Sequence, residues 1–238
     1  MNEPLTVEEI WRFPVKSMQG EALTEAEVDE RGVRGDRQWG VHDVSSGTIL
    51  TGRRCPELLF VAARYHASTD EVEIVLPSGH RQLSAFLGRE VELVRAGTKG
   101  PGRFEIATDF EHEDSSPWVS WQGPAGTYHD SARTPVSLLT RGSMGTWDTR
   151  RFRANLVAAG SGEMELVGRT LRFGTVEATT PQLIDRCVMV TRAQPGVDRD
   201  LEVLRTINRT TAGNLGLSLL VNRSGSVRVG DPVELLAG

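Results

Sequence analysis

Lysine and cysteine are nearly missing from this chain, and each absence removes a class of function. Of 27 basic side chains only Lys16 and Lys99 are lysines; the rest are arginines. The two cysteines, Cys55 and Cys187, lie too far apart to read as a chelating pair and are too few for a four-thiolate iron–sulfur cluster. A lone disulfide is not expected either. The opening residues MNEPLTVEEIWRF are acidic where an export signal is basic and then apolar, so reduced thiols and a cytoplasmic setting are expected. No long apolar run occurs near the C-terminus, where LGLSLLV (215–221) is far too short to span a bilayer. A net charge of −5 argues against general nucleic-acid binding, which is driven by phosphate neutralisation. Five histidines, His42, His66, His80, His112 and His129, show no metal-ligand spacing, so no zinc site is expected. Phosphate-binding and dinucleotide glycine motifs and the G-x-S-x-G elbow are also lacking.

What is present is short-period alternation. Val72, Ile74 and Leu76 alternate with polar neighbours, as do Val91 and Leu93, Leu171 and Phe173, and Val227 and Val229, with Val233 and Leu235 following. A period of two marks half-buried strands. Helical spacing is rare. It is clearest in RDLEVLRTINR (199–209), where Leu201, Leu204 and Ile207 share a face and Asp200 can cap the start, and weaker near LLTRGSMGTW. Many short strands and few helices predict a mainly β fold with minor α, of barrel or sandwich type. Residues 96–126, rich in Gly, Pro and acidic side chains, read as a long connection or lid. They divide the chain into parts at 1–95 and 127–238.

Several clusters combine glycine, arginine and hydroxyls, the residue types that hold phosphate oxygens. They are RFPVKSMQG (12–20), RGVRGDRQWG (31–40), LTGRRCPEL (50–58), HDSARTPVSLLT (129–140) and RRFRANLV (150–157). Taken singly, each arginine reads first as a solvated or salt-bridged surface residue, and a high-GC genome would also favour arginine. Cys55, beside Pro56, reads as core. For Cys187 two readings stand. The alternation in LIDRCVMV suggests a buried strand residue, while the adjacent Arg186 favours a thiolate that binds or attacks.

The order of PVKSMQG, RGDRQW, HDSARTPVSLLT, RRFRANLV, DRC and SVRVGDPVEL resembles the MOSC family, the molybdenum-cofactor sulfurase C-terminal domain, with its associated N-terminal β-barrel. Within that family it is similar to the amidoxime-reducing branch. The resemblance runs from about Glu9 to Leu235. It implies two β-barrel-like domains enclosing a molybdopterin cofactor, with the molybdenum bound by Cys187. It assigns Lys16 and Ser17 to the cofactor's phosphate end, and Arg37, Asp130, Ser131, Arg153 and Asn155 to its cradle. Arg53 lines the pocket and Arg186 stabilises the sulfur anion. Two departures stand out: Ala154 replaces a usual proline, and Ala132 replaces a second hydroxyl found in some relatives.

The activity so implied is reduction of N-hydroxylated or other N–O and S–O compounds by oxygen-atom transfer to cysteine-ligated molybdenum. Electrons would come from a separate ferredoxin, flavodoxin or cytochrome with its reductase. The alternative is a carrier of the cofactor, or of persulfide sulfur on Cys187, for another enzyme.

Overall fold

A computed structural model describes residues 5–236; the first four and last two residues of the expected domain bounds lie outside that range. The alternating segments form strands because only extended backbone sends every second side chain to one face. Thr170–Phe173 buries Leu171 and Phe173 completely while Arg172 faces water. Glu71–Val75 pairs with Ala62–His66, and Val91–Arg95 with Trp39–Asp43. The chain is mainly β, as the sequence predicts.

The largest sheet has nine strands and curls around one core. From one edge it runs Val233–Leu235, Thr170–Phe173, Val176–Thr179, Asn214–Arg223, Val136–Thr140, Leu156–Ala158, Val7–Arg12 and Glu21–Leu23; Leu183–Asp185 joins Asn214–Arg223 off this path. Val136–Thr140 and Leu156–Ala158 are parallel, whereas the other pairs are antiparallel. The N-terminal part is woven into this sheet: Val7–Arg12 pairs with Leu156–Ala158, and Glu25–Asp29 pairs with Gly225–Arg228 in a smaller sheet. Asn214–Arg223 bends enough to serve three partners. Its Gly216 has φ +85°, and a Cβ there would lie 2.8 Å from the Leu138 carbonyl oxygen.

Ile10, Leu138, Leu156, Phe173, Leu217 and Leu219 fill the main core. A second core gathers Val15, Met18, Val41 and Leu58 around Cys55, which is 3% exposed. Burial pushes the Cys55 thiol up to about 12, an inert structural sulfur. The helix Leu201–Thr211 is capped by Asp200, whose carboxylate accepts from the Glu202 amide at 2.9 Å. It seats Val203, Leu204 and Ile207 against a third core. The weaker helical pattern becomes the single turn Arg141–Met144.

Two features differ from the sequence expectation or were not legible in it. The LIDRCVMV segment is not one buried strand. The strand ends at Asp185, and a 3-10 turn, Val188–Thr191, follows Cys187. The Arg186 side chain turns inward to main-chain carbonyls, and Val188 and Val190 are both buried by the turn rather than by alternation. Leu183, Ile184 and Cys187 stay half-buried. The connecting segment 96–126 itself carries a hairpin, in which Arg103–Ala107 pairs with Trp118–Gln122.

Candidate active site: a cationic cavity around Cys187

Turns that leave the strands converge on one cavity of about 460 Å³. Its lining includes all ten residues singled out in the sequence: Lys16, Ser17, Arg37, Arg53, Asp130, Ser131, Arg153, Asn155, Arg186 and Cys187. Six cationic side chains (Lys16, Arg37, Arg53, Arg151, Arg153, Arg186) face it against two carboxylates, Asp130 and Asp185. The site therefore carries a large local excess of positive charge in an acidic protein.

Asp130 organises one side. Its carboxylate accepts from Lys16 Nζ at 2.8 Å and from Arg53 at 2.9 and 3.2 Å. Lys16 also donates to the Tyr128 carbonyl at 2.7 Å and sits 4.0 Å above the Phe104 ring. Burial drives the Lys16 ammonium down to about 8, against the upward pull of Asp130, with Arg53 and Arg37 adding to the fall. The Asp130 carboxylate is about half exposed, and against the cost of its partial burial Arg53 and Lys16 hold it well below the usual range. For Arg53, burial opposes the charge; Asp130 and the Cys187 sulfur more than offset it, so the guanidinium stays protonated.

Arg37 and Arg153 form the opposite side, both over the Phe13 ring. Arg37 pairs with the fully buried Asp36 and donates to the Arg153 carbonyl at 3.0 Å. Arg153 donates to the Met18 carbonyl at 2.7 Å. Burial, then repulsion from Arg37, lowers it to about 9. Arg186 also lines the cavity and donates to the Leu215 and Phe152 carbonyls at 2.8 and 3.0 Å; burial lowers it to about 10.

The remaining predicted residues differ in what they offer. Ser17 is buried at a left-handed turn, and the Ser131 hydroxyl accepts from the Arg133 amide at 3.1 Å. The Asn155 amide is committed to the scaffold, accepting from the Ser137 amide and hydroxyl and donating to the Trp11 carbonyl. Cys187 is free and half-buried.

Sequence reasoning missed several lining groups. Ile106 and Trp121 come from the hairpin, whose composition gave no sign of a wall; Trp121 packs 5.2 Å from the Arg53 guanidinium. Arg151 braces the turn after Cys187 through the Val190 and Asp198 carbonyls. His129 adjoins Asp130 in a motif already singled out, and that adjacency was its available signal.

The donor set fits a phosphate-bearing anionic cofactor with a soft metal. Arg53 Nε, Arg153 Nη2 and Arg186 Nη2 are buried and lack partners among the described residues, so three guanidinium nitrogens of the cavity lining are left without acceptors. A thiol in the same cavity is a soft-metal ligand.

This is a cavity between interwoven β domains of a recognisable class. Residues 4–112 match the MOSC N-terminal beta barrel domain and residues 126–234 match the MOSC domain, so the chain belongs to the MOSC family. Among individual relatives, it is 25% identical over 285 residues to mitochondrial amidoxime reducing component 2 of Bos taurus, covering 96% of this chain and 82% of that protein. Its identity to the Homo sapiens protein of the same name is 24%, with the same coverage. The YUAD protein from Bacillus subtilis shares the fold, with a TM-score of 0.50 at 13% identity over 99% of this chain and 97% of its own.

Proposed function

We propose that this protein reduces N-hydroxylated or related N–O and S–O compounds, using a molybdenum cofactor held in the cavity with Cys187 on the metal. The observation that carries the reading is the meeting of one half-buried thiol with a cationic cradle in which three buried guanidinium nitrogens lack acceptors. The amidoxime-reducing names of its relatives support the same reaction class. When bound, the cofactor supplies two-electron oxygen-atom transfer, the part of the chemistry no side chain performs.

The chain's own contribution is placement and charge. Lys16, Ser17, Arg53, Arg37 and Arg153 bind and orient the anionic end. Asp130 fixes Lys16 and Arg53 while leaving their combined charge positive. Arg186 and Arg151 hold the segments on either side of Cys187 by bonding main-chain carbonyls. Ile106, Trp121 and Phe152 give the cavity an apolar side that limits water around a small substrate. Electrons come from a separate small redox protein with its reductase, since two cysteines supply too few thiolates for an iron–sulfur relay. A cytoplasmic setting belongs to the same reading and is supported by two unpaired cysteines. Among the described residues no helix is long and apolar enough to cross a membrane.

The test is expression in a host that makes the cofactor, followed by molybdenum and pterin analysis and benzamidoxime reduction with an artificial electron donor. Near-stoichiometric metal that is lost in Cys187→Ser, together with reductase activity, is expected. Metal-free protein bearing cyanide-releasable sulfur on Cys187 would establish the sulfur carrier instead; bound metal without turnover would leave a cofactor carrier.

A further inference from the structure

His129 lies among the cradle's charges and has no part in the scheme above. Its side chain is 5% exposed and lines the cavity. Nε2 is buried without a hydrogen-bond partner among the described residues. The nearest carboxylate, Asp36 Oδ2, stands 3.8 Å away, beyond hydrogen-bond reach, and is already paired with Arg37. The neighbouring residues Tyr128 and Asp130 are both acceptors for Lys16, and the Tyr128 amide donates to the Arg37 carbonyl. The chain on either side of His129 is thereby tied to Lys16 and Arg37. The charged groups acting on it are Arg37 and Lys16 on one side of the balance, and Asp36 and Asp130 on the other.

We infer that His129 is the proton-linked member of the cradle: its ring is neutral while the surrounding cations are uncompensated, and it holds a proton more tightly when an anion fills the cavity. Burial first, then Arg37 and Lys16, depress the free ring to about 4, so it is neutral near pH 7 in the empty site. An anion beside Lys16, Arg37 and Arg153 cancels the repulsion that disfavours the imidazolium. By linkage, protonating His129 must tighten anion binding by the same factor that binding raises its pKa. The site then binds its anion more strongly as pH falls through the window between the free and bound values, and within that window the filled state carries the extra proton on His129.

The inference rests on the anion cradle of the proposed function but not on the metal. It is tested with sulfate, which takes up no proton in the relevant range, on the full chain without cofactor. The His129 ring signals are assigned by their absence in His129→Gln and titrated with and without saturating sulfate. We expect the midpoint to rise by about one unit, equivalent to about tenfold tighter sulfate binding to the protonated ring. Calorimetry at about pH 4.5, midway between the free and bound midpoints, in two buffers of different ionisation enthalpy should show proton uptake on sulfate binding that disappears in His129→Gln. The inference is overturned by an unmoved His129 midpoint, by proton uptake that persists in the variant, or by sulfate failing to bind. Molybdenum loading and turnover with an unmoved midpoint would remove this inference alone. A moved midpoint in a chain that never takes up molybdenum would remove the proposed reductase and keep the linkage.

Discussion

Replacing Lys16 by methionine should stabilise the cofactor-free protein while crippling its anion site. Burial lowers Lys16 from 10.5 to about 8, so keeping the ammonium charged in the folded state at pH 7 costs ~3 kcal/mol relative to the unfolded chain. Methionine preserves the apolar stem but gives up the ammonium's place over the Phe104 ring, worth about 0.5–1 kcal/mol. It leaves the Tyr128 carbonyl without its donor, a loss of about 1 kcal/mol. Asp130 keeps Arg53 as its partner. The net expectation is a gain of about 1–2 kcal/mol at pH 7, read from urea unfolding. The pH dependence fixes the cause. Between about 8 and 10.5 the unfolded chain binds more protons at this residue than the folded one, so wild-type stability rises with pH through that window. Lys16→Met lacks that rise, and its advantage should shrink by ~2 kcal/mol between about pH 7 and 9.5. A variant less stable than wild type at pH 7, or an advantage that does not change with pH, would refute the reasoning and make Lys16 an ordinary structural ion pair.

The other predictions concern the scaffold of the site. Arg186→Lys keeps a positive charge but cannot donate to both the Leu215 and Phe152 carbonyls, so it should cost about 1–3 kcal/mol. Differential scanning calorimetry would register this as a fall of about 2–4 °C per kcal/mol, and an unchanged Tm would mean that the fork is dispensable. Glu113→Gln breaks a pair with Arg192 in which both side chains are largely buried, and so loosens the hairpin tip from the segment after Cys187. Limited proteolysis within residues 109–116 should accelerate about tenfold for ~1.4 kcal/mol of lost local stability, with global unfolding little changed; equal cleavage rates would show that Arg205–Glu111 holds the tip alone.

Strands were legible where burial alone decides conformation, as at Leu171 and Phe173, and the helix over 201–211 was legible from one apolar face with an Asp200 cap. Pairing partners were not. Nothing local in Val7–Arg12 specifies the strand Leu156–Ala158 some 150 residues away, because that register is set by which faces the whole core buries. The alternation around Cys187 misled for a related reason. Arg186 finds two carbonyl acceptors inside the fold, and that tertiary demand ends the strand before the cysteine. The family resemblance picked out residues that line one cavity, but it did not sort the arginines among them. Arg151 braces main-chain carbonyls alone, Arg153 and Arg186 brace carbonyls yet each keep one nitrogen without an acceptor, and Arg53 pairs with Asp130 and keeps another. The hairpin wall was hidden because Arg103–Ala107 and Trp118–Gln122 are short and separated by an acidic loop.

The backbone of the cradle makes the same argument as its charges. Ser17, Arg37 and Arg153 have φ of +66°, +50° and +52°, three of the five non-glycine residues in that region among those described. Each left-handed residue costs on the order of 1 kcal/mol, and each could be relieved by glycine. Glycine is absent from these positions although it stands nearby at Gly20 and Gly35. The side chains, not the turns, are therefore what the positions require: a hydroxyl and two guanidiniums turned into a cavity by conformations that disfavour them. Together with the ~3 kcal/mol held in Lys16, this makes the empty cradle a locally unstable arrangement supported by the surrounding cores. A ligand that compensates the charge relieves the electrostatic part directly and leaves the backbone already set. Its affinity then draws on preorganisation rather than on rearrangement of the protein.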